Sequence, residues 1–301
     1  MTDVCAIVVS HEGRDWLDGA IGTLIEHSSD ISLDVVVVDN GSDGAAEYAE
    51  RRFPGVRAIR CPNHGFGHAN NRGLEAAQSR YVLFLNPDTE VVEGELGALV
   101  AALDARPEVG LAGARQVRPD GSLAPSIRRF PSPTRMLAEA LGAERVPLAG
   151  ARLGERELVE RNYERVTACD WTSGSFMLAR ATALAEVGWF DERFFLFSEE
   201  TDLCWRLKRG GWEVLHLPEL TILHHEQEHW TNARLEAQSA YARLQFARKN
   251  LRRPALYRAV LALRYWVRWV SYAVPGRREP RRRAAAAAAL RTVLTGRPPF
   301  G

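Results

Sequence analysis

Apolar residues in this chain recur in short unbroken runs, each ending in a polar turn. Residues 4–9 form the first run and give way to Ser10, His11, Glu12 and Gly13. A run this short, apolar on both alternating faces, predicts a strand buried on both sides. Residues 33–38 repeat the pattern and lead into Asp39, Asn40, Gly41 and Ser42. Residues 56–60 predict a shorter third strand, and 81–85 a fourth that ends at Asn86, Pro87 and Asp88. Helical spacing marks residues 16–27, 70–78 and 95–105, and a small strand follows at 111–114. Strands alternating with helices predict an α/β fold with a mostly parallel central sheet flanked by helices. Ligands of such sheets bind beyond the carboxyl ends of the strands. The three polar clusters after strands one, two and four therefore define one edge of a site.

Residues 118–167, rich in Pro, Arg and Glu, lack clean periodicity and predict a loop with short helices. Regularity returns at 168–180 and in a helix at 200–209, which Gly210 and Gly211 close. Two short strands are predicted at 213–217 and 221–225, and helices from about 230 onward. The chain thus divides into an α/β region, 1–230, and a helical appendage, 231–301. In residues 256–274, bulky Leu261, Leu263, Tyr265, Trp266, Val267, Trp269 and Tyr272 alternate with Arg258, Arg264 and Arg268. At 100° per residue the three arginines fall within roughly a third of the circle, which predicts an amphipathic helix with a basic face. Residues 284–289 are six alanines, a strong helix former.

Composition narrows the class. With 46% hydrophobic and 26% charged residues, 301 residues can bury a sizeable core. The net charge of +1 hides an asymmetry: from Arg234 onward there are sixteen Arg or Lys and two Glu. The basic tail points to an anionic partner, and the rest of the chain is net acidic. Cys5, Cys61, Cys169 and Cys204 are far apart, with no CxxC pair, so neither a disulfide framework nor a zinc finger is expected. The expected compartment is a reducing cytoplasm. Residues 1–5 lack a secretory pattern, and no apolar stretch is long enough to span a bilayer.

Five constellations can carry chemistry, each with a plainer alternative. Asp39 can accept a hydrogen bond from a ribose or base, or simply form a turn. The segment Asn63, His64, Gly65, Phe66, Gly67, His68, Ala69, Asn70, Asn71 has two of the three glycines of a dinucleotide fingerprint but follows the wrong strand. A polar loop opening a helix toward a nucleotide, or a glycine-rich turn, remains. Asp88 can hold a hard divalent cation, though Asn-Pro and Pro-Asp are also common turn pairs. Glu199, Glu200 and Asp202 crowd the start of a helix. Acids favour a first helical turn, yet crowded carboxylates raise one another's pKa and can serve as a general base. His224, His225 and His229 lie near Glu226 and Glu228, as metal ligands or as structural histidines.

In order, these clusters resemble the family 2 glycosyltransferases of the GT-A fold. The resemblance rests on Ile7 to Glu12, Val38 to Ser42, Asn63 to Asn71, Leu85 to Asp88, Trp171 to Ser175, Gly188 to Glu192, Glu199 to Leu203 and His224-His225. The Asn-Pro-Asp motif and the Phe190 to Phe195 run look most like bacterial rhamnosyltransferases of cell-wall and polysaccharide assembly. The resemblance implies an inverting transfer from a nucleotide-diphosphate sugar, dTDP-L-rhamnose first and UDP- or GDP-sugars next. Ser10, His11, Glu12, Asp39, Asn63, Gly67, Asn71, Asn86 and Asp88 would line the donor. Asp88 would ligate Mg2+ or Mn2+ with a histidine of the 224–225 pair, and Trp171, Ser173, Gly174 and Ser175 would line the acceptor. The usual Glu-Asp pair reads Glu199-Glu200 here. That makes Glu200 the base, with Glu199 and Asp202 as rivals. Asn86 replaces the first aspartate of the usual Asp-x-Asp.

The implied acceptor is a saccharide or a polyprenyl-diphosphate-linked saccharide. The basic tail would touch the inner face of a membrane, cap the catalytic region or form a homodimer. A nucleic-acid-binding module would place basic and aromatic residues on the sheet, whereas the first 230 residues are net acidic. A nucleotidyltransferase would need a Gly-rich basic loop after the first strand, which Ser10 to Arg14 does not supply.

Overall fold

The computed structural model describes residues 2–142, 153–225, 232–274 and 279–300. The first apolar runs form the expected strands, β1 (Thr2–Ser10), β2 (Leu33–Asp39), β3 (Arg57–Arg60) and β4 (Ser79–Leu85). They lie parallel, in the order β3-β2-β1-β4. Helix α1 (Leu17–Glu26) follows β1, α2 (Ala45–Arg52) follows β2, and α3 (Phe66–Ala76) follows β3. Their register aligns the carboxyl ends. Ser10 pairs with Asp39, Asp39 with Arg60, and Val8 with Leu85. Helix α2 is short and alanine-rich and escapes periodicity. Its amide at Ala46 donates to the Asp39 carboxylate, so the strand end itself caps the helix.

The second half of the sheet departs from the expected parallel order. Next come β5 (Thr89–Gly94), α4 (Leu96–Asp104), β6 (Val109–Val117), a two-residue β7 (Ile127–Arg128) and α5 (Pro133–Ala140). The chain continues through β8 (Thr167–Ala168), β9 (Trp171–Thr172), β10 (Phe176–Arg180), α6 (Ala181–Val187), α7 (Glu199–Arg209) and β11 (Glu213–His224). Strand β10 inserts antiparallel between β4 and β6, β11 runs parallel to β6, and β5 is antiparallel to β11. The predicted strands at 213–217 and 221–225 are one bulged strand. The register shifts between Leu217 and Thr221, around Pro218, which has no N–H to give to a ladder.

Strand β1 shows how the sheet buries two layers. Val4, Ala6 and Val8 face the core under α1 and α4, and Cys5, Ile7 and Val9 face the one containing residues of α3, α6 and α7. The four thiols are free. A third core joins Met136 of α5 to three C-terminal helices, α8 (Ala233–Asn250), α9 (Pro254–Ser271) and α10 (Pro280–Thr295).

The basic face expected of residues 256–274 is turned inward. On α9, Arg258 donates to the Val293 and Leu294 carbonyls at the end of α10. Arg264 pairs with Glu139 and Arg268 with Glu236. These arginines share the helix side of buried Tyr257, Leu261 and Tyr265, because their charges neutralise buried acids and cap a helix terminus. Among the described residues no helix is long and apolar enough to cross a membrane.

Candidate active site

The aligned strand ends gather the donor-side candidates. The Asp39 carboxylate, buried, accepts from the amides of Gly41 and Ala46, both at 3.0 Å. Its oxygens thus fix the turn and retain lone pairs on the site edge. Glu12, at a positive φ of 53°, accepts from the Ser42 amide at 2.8 Å and its hydroxyl at 2.7 Å, which holds its carboxyl below the ordinary range. His11 Nδ1 lies 3.2 Å from the Asn40 carbonyl and 3.5 Å from Asn63 Nδ2. The buried Ser10 Oγ and Asn40 Oδ1 have no protein partner.

The 63–71 segment is docked on the loop that precedes α7. Phe66 N–H donates to the Phe195 carbonyl at 2.9 Å. At Gly65, φ is +109°, and a Cβ would stand 2.1 Å from that carbonyl oxygen, so only glycine fits. Asn63 caps the Gly65 amide at 3.2 Å, and Gly67 lies against Phe190. Asn71 donates to the Phe190 carbonyl and to Glu192, and accepts from the Phe190 amide. Both of its donors are engaged, so Asn71 ties α3 to residues 190–192, and its amide nitrogen is not open to the donor as expected.

Asp88 and His224 meet at the end of β4. Their Oδ1 and Nε2 atoms are 3.5 Å apart, both side chains are largely buried, and His224 Nδ1 has no protein partner. The Asp88 carbonyl also accepts from His225 N–H. The His225 ring, however, pairs with Glu90 at 2.8 Å and packs tilted against Trp16, which directs it away from Asp88. Among the described residues no three or more His, Cys, Asp or Glu converge on one point. A carboxylate with an imidazole fits a divalent cation whose other positions go to water and a diphosphate, the usual habit of Mg2+ at phosphate sites. His229, Glu226 and Glu228 lie outside the described residues.

On the other flank, Asn86 N–H donates to the Ser175 carbonyl at 2.9 Å, tying β4 to the segment before β10. Ser173 and Ser175 hydroxyls are 3.1 Å apart, and Ser175 donates to Gln116. Trp171 is buried, and its indole N–H donates to the Arg129 carbonyl. It is a wall behind the expected acceptor surface. Gly174 faces Glu200: a Cβ there would lie 3.8 Å from the Glu200 Cβ and Cγ.

The three carboxylates of α7 separate by environment. Asp202 is fully buried and contacts Arg206 at 2.9 Å, Lys249 at 2.8 Å and Asn250 at 2.9 Å. These three partners occupy the carboxylate and anchor α8 to it, contrary to the base role weighed for it. Glu199 is buried with Oε2 unpartnered. Burial, then the neighbouring Glu200 charge, raises its pKa well above the ordinary range. Glu200 is raised by burial too, while Arg128 and Arg243 pull it back down. Before them Phe197 and Ser198 adopt positive φ of 69° and 67°, a strained entry to the helix of the kind that clusters at functional sites.

Two of these basic residues escape sequence reading. Arg128 lies on β7 paired to β9, with its guanidinium over the Trp171 ring; desolvation, then Arg156, pushes its pKa down to about 10. Arg243 of α8 grips Glu155 through two 2.9 Å contacts and reaches the Tyr257 hydroxyl. Neither sits in a periodic pattern, and Arg243 reaches the site only through tertiary packing.

The chain matches known proteins in sequence and in fold. The family model described as glycosyl transferase family 2 matches residues 5–162. An N-acetylglucosaminyl-diphospho-decaprenol L-rhamnosyltransferase of Mycobacterium tuberculosis is 32% identical over 240 residues, covering 75% of this chain and 77% of the relative. Rhamnosyltransferase WbbL of Escherichia coli is 24% identical, over 74% of this chain and 83% of its own. Among solved structures, a Pyrobaculum calidifontis mannosyltransferase in complex with GDP-Man and Mn2+ superposes with a TM-score of 0.59 at 16% identity, covering 98% of this chain and 89% of that one. GalNAc-T7 with UDP, GalNAc and Mn2+ gives 0.61 at 13% identity, over 98% and 56%. Both share the GT-A architecture that β1 to β4 and the mixed second half form here. With a family model spanning more than half its length and a relative nearly a third identical over three quarters of it, the chain belongs to glycosyl transferase family 2 and is a glycosyltransferase.

Proposed function

We propose that the protein transfers L-rhamnose from dTDP-L-rhamnose to a hydroxyl of a lipid-linked saccharide, with inversion at the anomeric carbon. The observation that carries the base assignment is Glu200 against Gly174, with a pKa raised by burial. A base poised toward neutral pH is suited to a hydroxyl proton. The sugar is supported by the two relatives named as rhamnosyltransferases, and the lipid-linked acceptor by the mycobacterial one, a decaprenol-diphosphate-sugar rhamnosyltransferase.

In this reading Asp39 and the loop after β1 receive the nucleoside. Asp88 and His224 would hold Mg2+ or Mn2+, which supplies positive charge where the leaving diphosphate gains negative charge. Glu200 takes the acceptor proton as the acceptor oxygen bonds to the anomeric carbon. The bond from that carbon to the diphosphate breaks, and its electron pair leaves with the nucleoside diphosphate. Attack opposite the leaving group inverts the centre. Protonated Glu199, beneath the 63–67 loop, keeps a second negative charge away from the base.

Thermal denaturation with dTDP-, UDP- and GDP-sugars, with and without Mn2+, tests the donor. Stabilisation by the dTDP-sugar in Mn2+ is expected; a response confined to UDP- or GDP-sugars would replace the donor, and no response to any nucleotide would overturn the reading. Glu200→Gln should lower kcat by roughly 10²- to 10⁴-fold while donor binding stays near normal. Turnover at the wild-type rate would remove Glu200 as base.

A further inference from the structure

Helix α9 is amphipathic in the opposite sense to its sequence. With its arginines packed inward, it presents Leu256, Leu263, Trp266, Val270 and, just past its end, Val274 to solvent, each between 38% and 51% exposed. Ala259 is exposed on the same side. At 100° per residue the six fall within an arc of about 80°. The stripe contains no acid, and residues 252–274 have none. Exposed Arg252 and Arg253 precede it, and exposed Arg281, Arg282 and Arg283 open the next helix beyond its far end. Arg283 lies over the Trp269 ring at 5.0 Å, tying that cluster to α9.

We propose that α9 lies flat on an anionic bilayer, with this stripe in the acyl boundary and the two arginine clusters on lipid phosphates. An apolar face with cations at both ends fits the chemistry of that interface. A second copy is a poor occupant. An antiparallel helix pair would set Arg252 and Arg253 against the partner's 281–283 cluster, and a parallel pair would set like clusters together. Both arrangements concentrate positive charge.

The position of α9 gives the contact a purpose. Its inner Tyr257 hydroxyl touches Arg243, which grips Glu155, and the backbone of the adjoining Arg156 pairs with that of Arg128 beside Trp171. The helix therefore backs onto the flank that carries Gly174 and Glu200. Docking would bring that flank to the surface where a lipid-linked acceptor resides. This purpose rests on the acceptor proposed above; the docking itself does not.

The test is co-sedimentation of the full chain with vesicles of phosphatidylcholine alone or mixed with phosphatidylglycerol, at low and high salt. The expected result is binding to the mixed vesicles, weakened by salt and lost by about tenfold or more in Leu263→Glu/Trp266→Glu. Arg252→Glu/Arg253→Glu should weaken binding without affecting the fold by circular dichroism. The proposal is overturned if the wild type ignores anionic vesicles, or if the Leu263/Trp266 variant binds them equally well. It is overturned as well if sedimentation shows a dimer that the Trp266 change dissociates. Transfer to a lipid-free acceptor, assayed in parallel, separates the two readings. Transfer without vesicle binding leaves the proposed function standing and removes the docking face, and binding without transfer leaves the docking face standing and removes the proposed transfer, not the family.

Discussion

Asp202→Ala should destabilise the protein without abolishing its chemistry. The carboxylate is fully buried and joins α7 to α8 through Lys249 and Asn250, besides its helix-internal contact with Arg206. Removing one partner of a buried ion pair costs about 3–5 kcal/mol, because the remaining charge is left without its counterion. Here the low end applies. Arg206 keeps the carbonyls of Val187, Gly188 and Trp189, and Lys249 keeps Asp191 at 2.7 Å. An unfolding entropy of ~2.1 cal/mol/K per residue gives about 0.6 kcal/mol/K for this chain. A loss of about 3 kcal/mol then lowers the melting temperature by about 5 °C. Thermal denaturation and steady-state transfer, measured on the same preparation, check this below the shifted transition. A variant with an unmoved melting temperature and background turnover would show that Asp202 is the base and that its ion pairs are secondary.

Other expectations follow from the same geometry. Gly65→Ala places a Cβ against the Phe195 carbonyl at a left-handed φ and should cost more than about 2 kcal/mol; Gly22→Ala, with nothing within 4 Å, should be neutral or stabilising, and equal melting temperatures would contradict the docked-loop geometry. With Glu200 as the base proposed above, kcat should rise with pH through a value above that of an ordinary glutamate. Arg128→Met removes a charge that lowers that value, so the acid limb should move to higher pH; a limb that stays put excludes the coupling. Glu199 has a folded-state pKa raised above its unfolded value, so its stabilising contribution is complete below the unfolded pKa and lost as pH rises through the folded one. Glu199→Gln should therefore flatten the decline in urea midpoint as pH rises above the ordinary glutamate range. Identical slopes in variant and wild type would count against a protonated Glu199.

The first half of the fold was legible because buried parallel strands are continuous apolar runs, as residues 4–9 and 81–85 show. Their polar ends fall together at one sheet edge for the same reason. What escaped reading was set by partners distant in sequence. Strand β5 is half exposed and follows a turn pair, β10 runs antiparallel because it returns from an irregular segment, and Pro218 interrupts β11. Likewise Asp202 reads as one more acid in a first helical turn until Lys249 and Asn250 arrive from α8. The arginines of α9 show the limit most clearly. Helical spacing predicted that they share a face, but only the acids of α5 and α8 determine that this face is the inner one.

The docking of the 63–71 segment on residues 190–195 has a consequence for engineering. Phe66 holds Phe195, Asn71 holds Phe190 and Glu192, and His68 pairs with Glu192 at 2.9 Å. The start of α3 and the run leading into α7 are thus one module written in two stretches of sequence. Grafting residues 63–71 from a relative with another sugar preference would sever those contacts and misplace Glu199 and Glu200. A chimera should exchange 63–71 and 188–198 together, carrying both halves of the joint across.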